Sequence, residues 1–316
     1  IWMALLNNFT VEIAGFTGKE IGMLQSIREI PGLLAFTAIF VLLLLREQIL
    51  AILSLIILGI FVGITGYFTS EYALYATTLM MSIGFHYYET MQMSLTLQWI
   101  DKSQAPKTMG KQISAKSIAS IMAYALLWLA AKYTSIPYEI LFAIGGGVTV
   151  IIAIFIWLAF PHIDAHEVQH KKIILRKRYW LFYSLTFMGG ARRQIFVVFA
   201  GFLLVTKFDY SVENISGLLL INYIVTSWFA PKLGTIIIKW GERNALIFEY
   251  IGLIFVFLGY ALTQDVQVAT ALYVVDHLFF SFAIAQKSYL QKIADVQDIA
   301  STSSVSFSIN HIAAVV

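Results

Sequence analysis

The chain has 316 residues, of which 59% are hydrophobic and 12% charged, with a mean hydropathy of +0.79. A soluble domain is about 45–50% apolar and about 25% charged, so this excess excludes a water-soluble globule and points to a polytopic membrane protein. A formal net charge of +3 gives no argument for nucleic acid, and the absence of cysteine excludes disulfides and thiolate metal sites.

A helix needs about 20 apolar residues to cross the hydrocarbon layer. Residues 1–6 read as the tail of one span. Complete spans are expected at about Ile21–Leu45, Ile49–Phe68, Tyr72–Ile100, Ile113–Ala131 and Tyr138–Phe160. A polar stretch, "PHIDAHEVQHKKIILRKR", fills 161–178. Further spans follow at about Tyr179–Thr206, Glu213–Ile237, Ala245–Thr263 and Ala269–Ile293, and Ser303–Val316 begins another. The reading is thus nine complete and two partial spans, in a chain expected to be a fragment cut at both ends. Long, continuously apolar segments exclude a β-barrel.

Because successive spans alternate in direction, loop cations can be sorted by side. Arg46, Lys102, Lys107, Lys111, Lys171, Lys172, Arg176, Lys177, Arg178, Lys239, Arg243 and Lys292 fall on one side, and Lys19, Lys132 and Lys207 on the other. The basic side is the inner one. The expected organisation is an N-terminal helix bundle (1–160, truncated at its start), a cytoplasmic linker (161–178) and a C-terminal bundle (179–316, truncated at its end). Two six-helix halves are a transporter arrangement.

The loop "LGTIIIKWGERNAL", Leu233–Leu246, resembles the loop motif G-x-x-x-D-R-x-G-R-R of the major facilitator superfamily (MFS). Gly234 takes the first glycine, Lys239 the basic position, Gly241 the second glycine and Arg243 the last basic residue, while Ile238 stands where the family often has Asp. The resemblance implies an all-α MFS-type 6+6 transmembrane bundle, with this loop as a gating element. The stretches "REIPGLLAF" and "GFHYYET" resemble bacterial members without an assigned substrate, and the resemblance implies an inner-membrane transporter working by alternating access. The family's antiporter signature, rich in Gly and Pro in the fifth helix, has no counterpart in "AKSIASIMAYALLWLAAK".

Ionisable residues at bilayer depth are costly, and by default functional. They are Arg28 and Glu29 in the second helix, His86 and Glu89 in the fourth, Arg192 and Arg193 in the seventh, Asp276 and His277 in the tenth and His311 in the eleventh. Glu249 is assigned to the cytoplasmic loop network. Arg192 lies about thirteen residues into its helix, roughly 20 Å deep. Adjacent residues point about 100° apart, so one arginine is expected to face a cavity and the other a neighbouring helix. The functional reading is a guanidinium fork on an anionic solute, with Tyr88 as a cavity aromatic. The bland reading is an internal ion pair with Glu89 or Asp276.

"FHYYET" puts His86 and Glu89 on one helix face, a candidate for proton loading. Arg28, Glu29, Asp276 and His277 are read as proton-coupling or ion-pair residues. In "REIPG", Pro31 and Gly32 suggest a bend, or else a helix that starts only after the proline. His162, His166 and His170 recur every four residues and could hold a metal if helical, but chance is the simpler reading.

The expected function is a secondary transporter of a small anionic solute, with proton coupling as an added expectation. The alternatives are a divalent metal transporter, or a transporter-like sensor or scaffold without flux. No phosphate-binding G-x-x-x-x-G-K-[ST] or H-E-x-x-H motif occurs, so neither ATP drive nor an enzyme is expected, and no cofactor. The expected partners are the small-molecule solute, membrane lipids and protons, with no nucleic acid.

Overall fold

The computed structural model describes residues 2–161, 168–210 and 212–315, and is helical throughout with no strand among them. His162 and His166 lie outside the described residues. The helices are α1 (Trp2–Glu12), α2 (Gly18–Leu33), α3 (Ala38–Val41), α4 (Glu47–Ile64), α5 (Glu71–Trp99), α6 (Ala105–Tyr133), α7 (Tyr138–Ala159), α8 (Trp180–Gln194), α9 (Gly201–Phe208), α10 (Val212–Trp240), α11 (Glu242–Leu262), α12 (Val266–Phe279), α13 (Ala283–Ile293) and α14 (Ile299–Val315).

Their ends follow from local chemistry. Thr17 and Glu20 form a reciprocal cap that satisfies free N–H groups at the start of α2. Asp265 accepts from the amides of Gln267 (2.6 Å) and Val268 (3.2 Å) to start α12. The α5–α6 turn is held by Asp101, which accepts from Ser103 Oγ (2.5 Å) and its amide (2.7 Å). These two bonds hold its carboxyl below the usual range. The helix before Pro31 does not stop there: α2 runs through it, and the bend, 43° between Gly18–Leu33 and Ala35–Val41, comes just beyond at Leu34.

Five helices among the described residues are long and apolar enough to cross a membrane, or six if the bent pair at Gly18–Val41 is one span. The expected nine are therefore not all confirmed. The chain around α8 is broken by a π-helical segment at Ile195–Ala200, and α5 interrupts its apolar run with Thr77, Thr78, Ser82, His86, Glu89 and Thr90.

The chain forms two compact units. The first comprises Ile1–Leu95, Ala123–Leu175 and Asp295–His311; the second comprises Thr96–Met122, Arg176–Ala294 and Ile312–Val316. In the first, Leu6, Phe9, Leu24, Leu74 and Phe142 build one core, with the Phe9 and Phe142 rings edge-on at 5.4 Å. A second core joins Ala38, Leu42, Leu50, Ala51 and Met91 to Ala300. Helices α4 and α7 meet backbone to backbone, because Gly146 lies against Gly59 and Gly63 and leaves no room for a side chain.

Also in the first unit, residues 168–175 are strapped to the turn before α14. The amide of His170 donates to Gln297 O (2.8 Å), and its Nδ1 lies 2.8 Å from the buried Asp298 carboxylate. Gln169 Nε2 donates to Val296 O (2.8 Å), and the amide of Ile174 donates to Ser301 Oγ (2.8 Å).

In the second unit, α6 and α10 pack through small residues: Gly110 against Ala230, Gly234 against Pro106. Ser114 Oγ donates to Ser227 O at 2.5 Å. Gln291 of α13 is buried and its amide donates to Leu97 O and Ile100 O, both 2.7 Å, capping carbonyls that end α5.

Candidate functional site

Arg192 is 7% exposed, near the end of α8 and one residue pair before the π-helical segment. Such segments often mark functional sites. Both terminal nitrogens of its guanidinium are engaged within the second unit. Nη1 donates to Glu249 Oε1 (2.9 Å), and Nη2 to the Asp276 backbone carbonyl (2.8 Å) and Oδ1 (3.3 Å). The guanidinium carbon lies 4.2 Å from the Phe280 ring centre. One cation thus faces two carboxylates in an apolar surround. Arg192 Nε and Asp276 Oδ2 are buried without a hydrogen-bond partner. Glu249, expected in the loop network, instead reaches this cluster from α11, because its side chain points inward and is buried.

Arg193 is half-buried on the next position. His277 does not share the Asp276 environment; its ring sits among Phe196 (5.7 Å), Phe280 (6.0 Å) and Tyr223 (6.5 Å). Tyr88 is half-buried against the core around Met91 and Ala300.

A second polar cluster lies in the first unit. Arg28 Nη2 pairs with Glu29 Oε1 at 2.5 Å, and the other Glu29 oxygen lies 3.0 Å from His311 Nδ1. The His311 ring stands edge-on to His86, centres 4.7 Å apart. His86, read by spacing as the partner of Glu89, therefore has a neighbour 225 positions along the chain. The signal available in the sequence was only that both are histidines in apolar helices. Gly32 makes the socket: an added Cβ would lie 2.6–2.7 Å from three atoms of the His311 ring. Gly32→Ala is expected to push the ring aside and cost about 1–3 kcal/mol, read as a lowered melting temperature in detergent.

The loop motif divides into roles. Gly234 permits the close approach of α10 to Pro106, and Gly241 takes φ +77°, a left-handed conformation glycine adopts without strain. Lys239 and Arg243 are exposed. The buried charge of the loop is Glu242, which the motif comparison passed over. It pairs with Lys292 at 2.7 Å and accepts from Ser288 Oγ at 2.7 Å.

Long apolar helices with charge clusters in their interior define a polytopic membrane protein of the transporter class. The family model of the Major Facilitator Superfamily matches residues 1–316, and the chain belongs to that family. It is a secondary transporter of small molecules and not an enzyme. Among solved structures it is similar to the human organic anion transporter MFSD10 (TETRAN), with TM-score 0.76 and 14% identity, covering 99% of this chain and 81% of that one. It is also similar to the nucleoside transporter NupG, with TM-score 0.59 and 15% identity, covering 99% of this chain and 84% of that one. At these identities the likeness is one of fold. No curated protein matches the sequence.

Proposed function

We propose that the protein moves a small anionic solute by alternating access, coupled to protons, and that Arg192 takes the solute when a proton neutralises one of its carboxylate partners. The observation that supports this reading is the buried guanidinium shared by Glu249 (2.9 Å) and Asp276 (3.3 Å). With both carboxylates ionised the cluster carries one uncompensated negative charge, which a low-dielectric interior disfavours. A proton on one carboxylate removes that charge and releases part of the fork. The released N–H groups then suit the carboxylate or phosphate-like end of a solute. Solute arrival and proton loading favour one another, which is the requirement for symport.

Arg193 is assigned to the same solute, and Tyr88 to packing. Glu29, Arg28, His86 and Glu89 are assigned to a second proton-sensitive cluster, with His277 as an aromatic-lined neighbour of Asp276. The two halves, 1–160 and 179–316, rock about the centre, with the 161–178 linker on the cytoplasmic side of a bacterial inner membrane and lipids around the bundle. Arg192 puts a positive charge between the two carboxylates, which favours the anion over the divalent-metal reading.

The test is a thermal-shift screen of the purified protein against small carboxylates, phosphate esters and neutral analogues, followed by uptake into proteoliposomes under a proton gradient. A bound solute raises native-state stability by mass action. Asp276→Asn and Glu249→Gln imitate the protonated state and are expected to bind the anion with a flattened pH dependence. Arg192→Lys keeps the charge but loses the fork, and is expected to weaken binding at least tenfold. An unchanged anion response in Arg192→Lys, or a response to divalent metals alone, would sink the proposal. A bound solute without flux would favour the sensor reading.

A further inference from the structure

Helix α10 has 29 residues, about 44 Å of helix. Its buried stripe runs through Leu218, Asn222, Thr226, Ala230, Leu233 and Ile237. Toward its C-terminal end this stripe packs on α6, through Ala230 against Gly110 and Gly234 against Pro106. Its centre is polar. Asn222 is 1% exposed and Thr226 6% exposed, one helical turn apart on the same face. Neither the Asn222 amide nitrogen, nor its oxygen, nor Thr226 Oγ1 has a hydrogen-bond partner. Thr226 is about 21 Å from either end of the helix, the depth at which transporters of this architecture hold their cargo.

An apolar pair would fill this stripe at no electrostatic cost, whereas an amide buried with both donor and acceptor open is strongly disfavoured. Something other than stability retains it. We propose that Asn222 and Thr226 form a hydrogen-bonding subsite for the solute, reading a neutral donor–acceptor edge, a hydroxyl or amide group, next to its charged end. The inference rests on the anion reading above and narrows its substrate class. The neighbouring residue Tyr223 has its ring 6.5 Å from His277, which directly follows Asp276. The subsite therefore adjoins the helix that carries the acidic partner of Arg192. A site built to hydrogen-bond a polar group rejects the analogue lacking it, because its own groups are then left open.

The test uses the full chain in detergent with Asn222→Leu and Thr226→Val, which keep the branched shape of the native side chains without their polar atoms. Without solute, each variant is expected to melt about 2–4 °C higher than the native protein, since an unsatisfied group has been removed. The native protein is expected to be stabilised more by lactate than by propionate, and more by succinamate than by 4-methylpentanoate, with that preference lost in both variants. A lower melting temperature in both variants would mean that the polar groups are satisfied from within the bundle, and overturns the proposal. So does an unchanged preference in the variants, or no preference in the native protein. If no anion stabilises the native protein at all, the anion reading fails, and the solute-free melting result still decides whether these side chains carry an unmet demand.

Discussion

Arg192→Gln is expected to lower stability by about 3–5 kcal/mol and to abolish uptake. The size follows from what is left behind: Glu249 and Asp276 remain buried with no cation, and breaking one partner of a buried pair costs far more than the pair contributes. Thermal denaturation in detergent measures the first effect and proteoliposome flux the second. The triple variant Arg192→Met, Glu249→Gln, Asp276→Asn separates structure from function. With no charge remaining to be desolvated, its melting temperature is expected to return to near the native value while uptake stays absent. If the triple variant transports, the cluster is structural only.

The second large effect lies far from that cluster. Gly146→Ala is expected to cost about 3 kcal/mol, because the new methyl group meets the backbone of Gly59 and Gly63, which cannot move aside as a side chain can. Gly147, the next residue, has open space around an added Cβ. Gly147→Ala is accordingly expected to be neutral, or to stabilise α7 by up to about 1 kcal/mol through helix propensity. Two identical substitutions at adjacent positions thus differ by several degrees in melting temperature. Equal effects would show that α4 and α7 are not in backbone contact.

Long apolar runs announce helices strongly, so helix positions such as Tyr138–Ala159 were legible within a residue or two of the reading Tyr138–Phe160. Helix α5, Glu71–Trp99, was legible just as closely from the reading Tyr72–Ile100, although the polar residues inside it weaken its apolar signal. Arg192 and Asp276 stood out because charge in an apolar run is conspicuous. Their mutual geometry did not, because it depends on which helices become neighbours. Glu249 was misassigned for a related reason: seven residues from the start of α11, it is shallow by count, yet a long arginine side chain bridges the remaining depth. Asn222 and Thr226 were invisible, since an uncharged polar residue in a helix carries no mark of whether a partner awaits it. His86 and His311 show the same limit from another side, as no local pattern joins residues on α5 and α14.

The separation of Arg192 from its partners also has a consequence for how the protein is made. Glu249 follows it by 57 residues and Asp276 by 84. At about 5–20 residues per second, α8 is complete roughly 4–17 seconds before both counter-charges exist. For that interval the helix offers the lipid a bare guanidinium, at a cost of about 2.5–3.5 kcal/mol on insertion scales. Helix α8 is therefore the segment whose residence in the bilayer is decided by sequence not yet translated. Nascent chains released before α11 should expose it, and chains released after α12 should protect it.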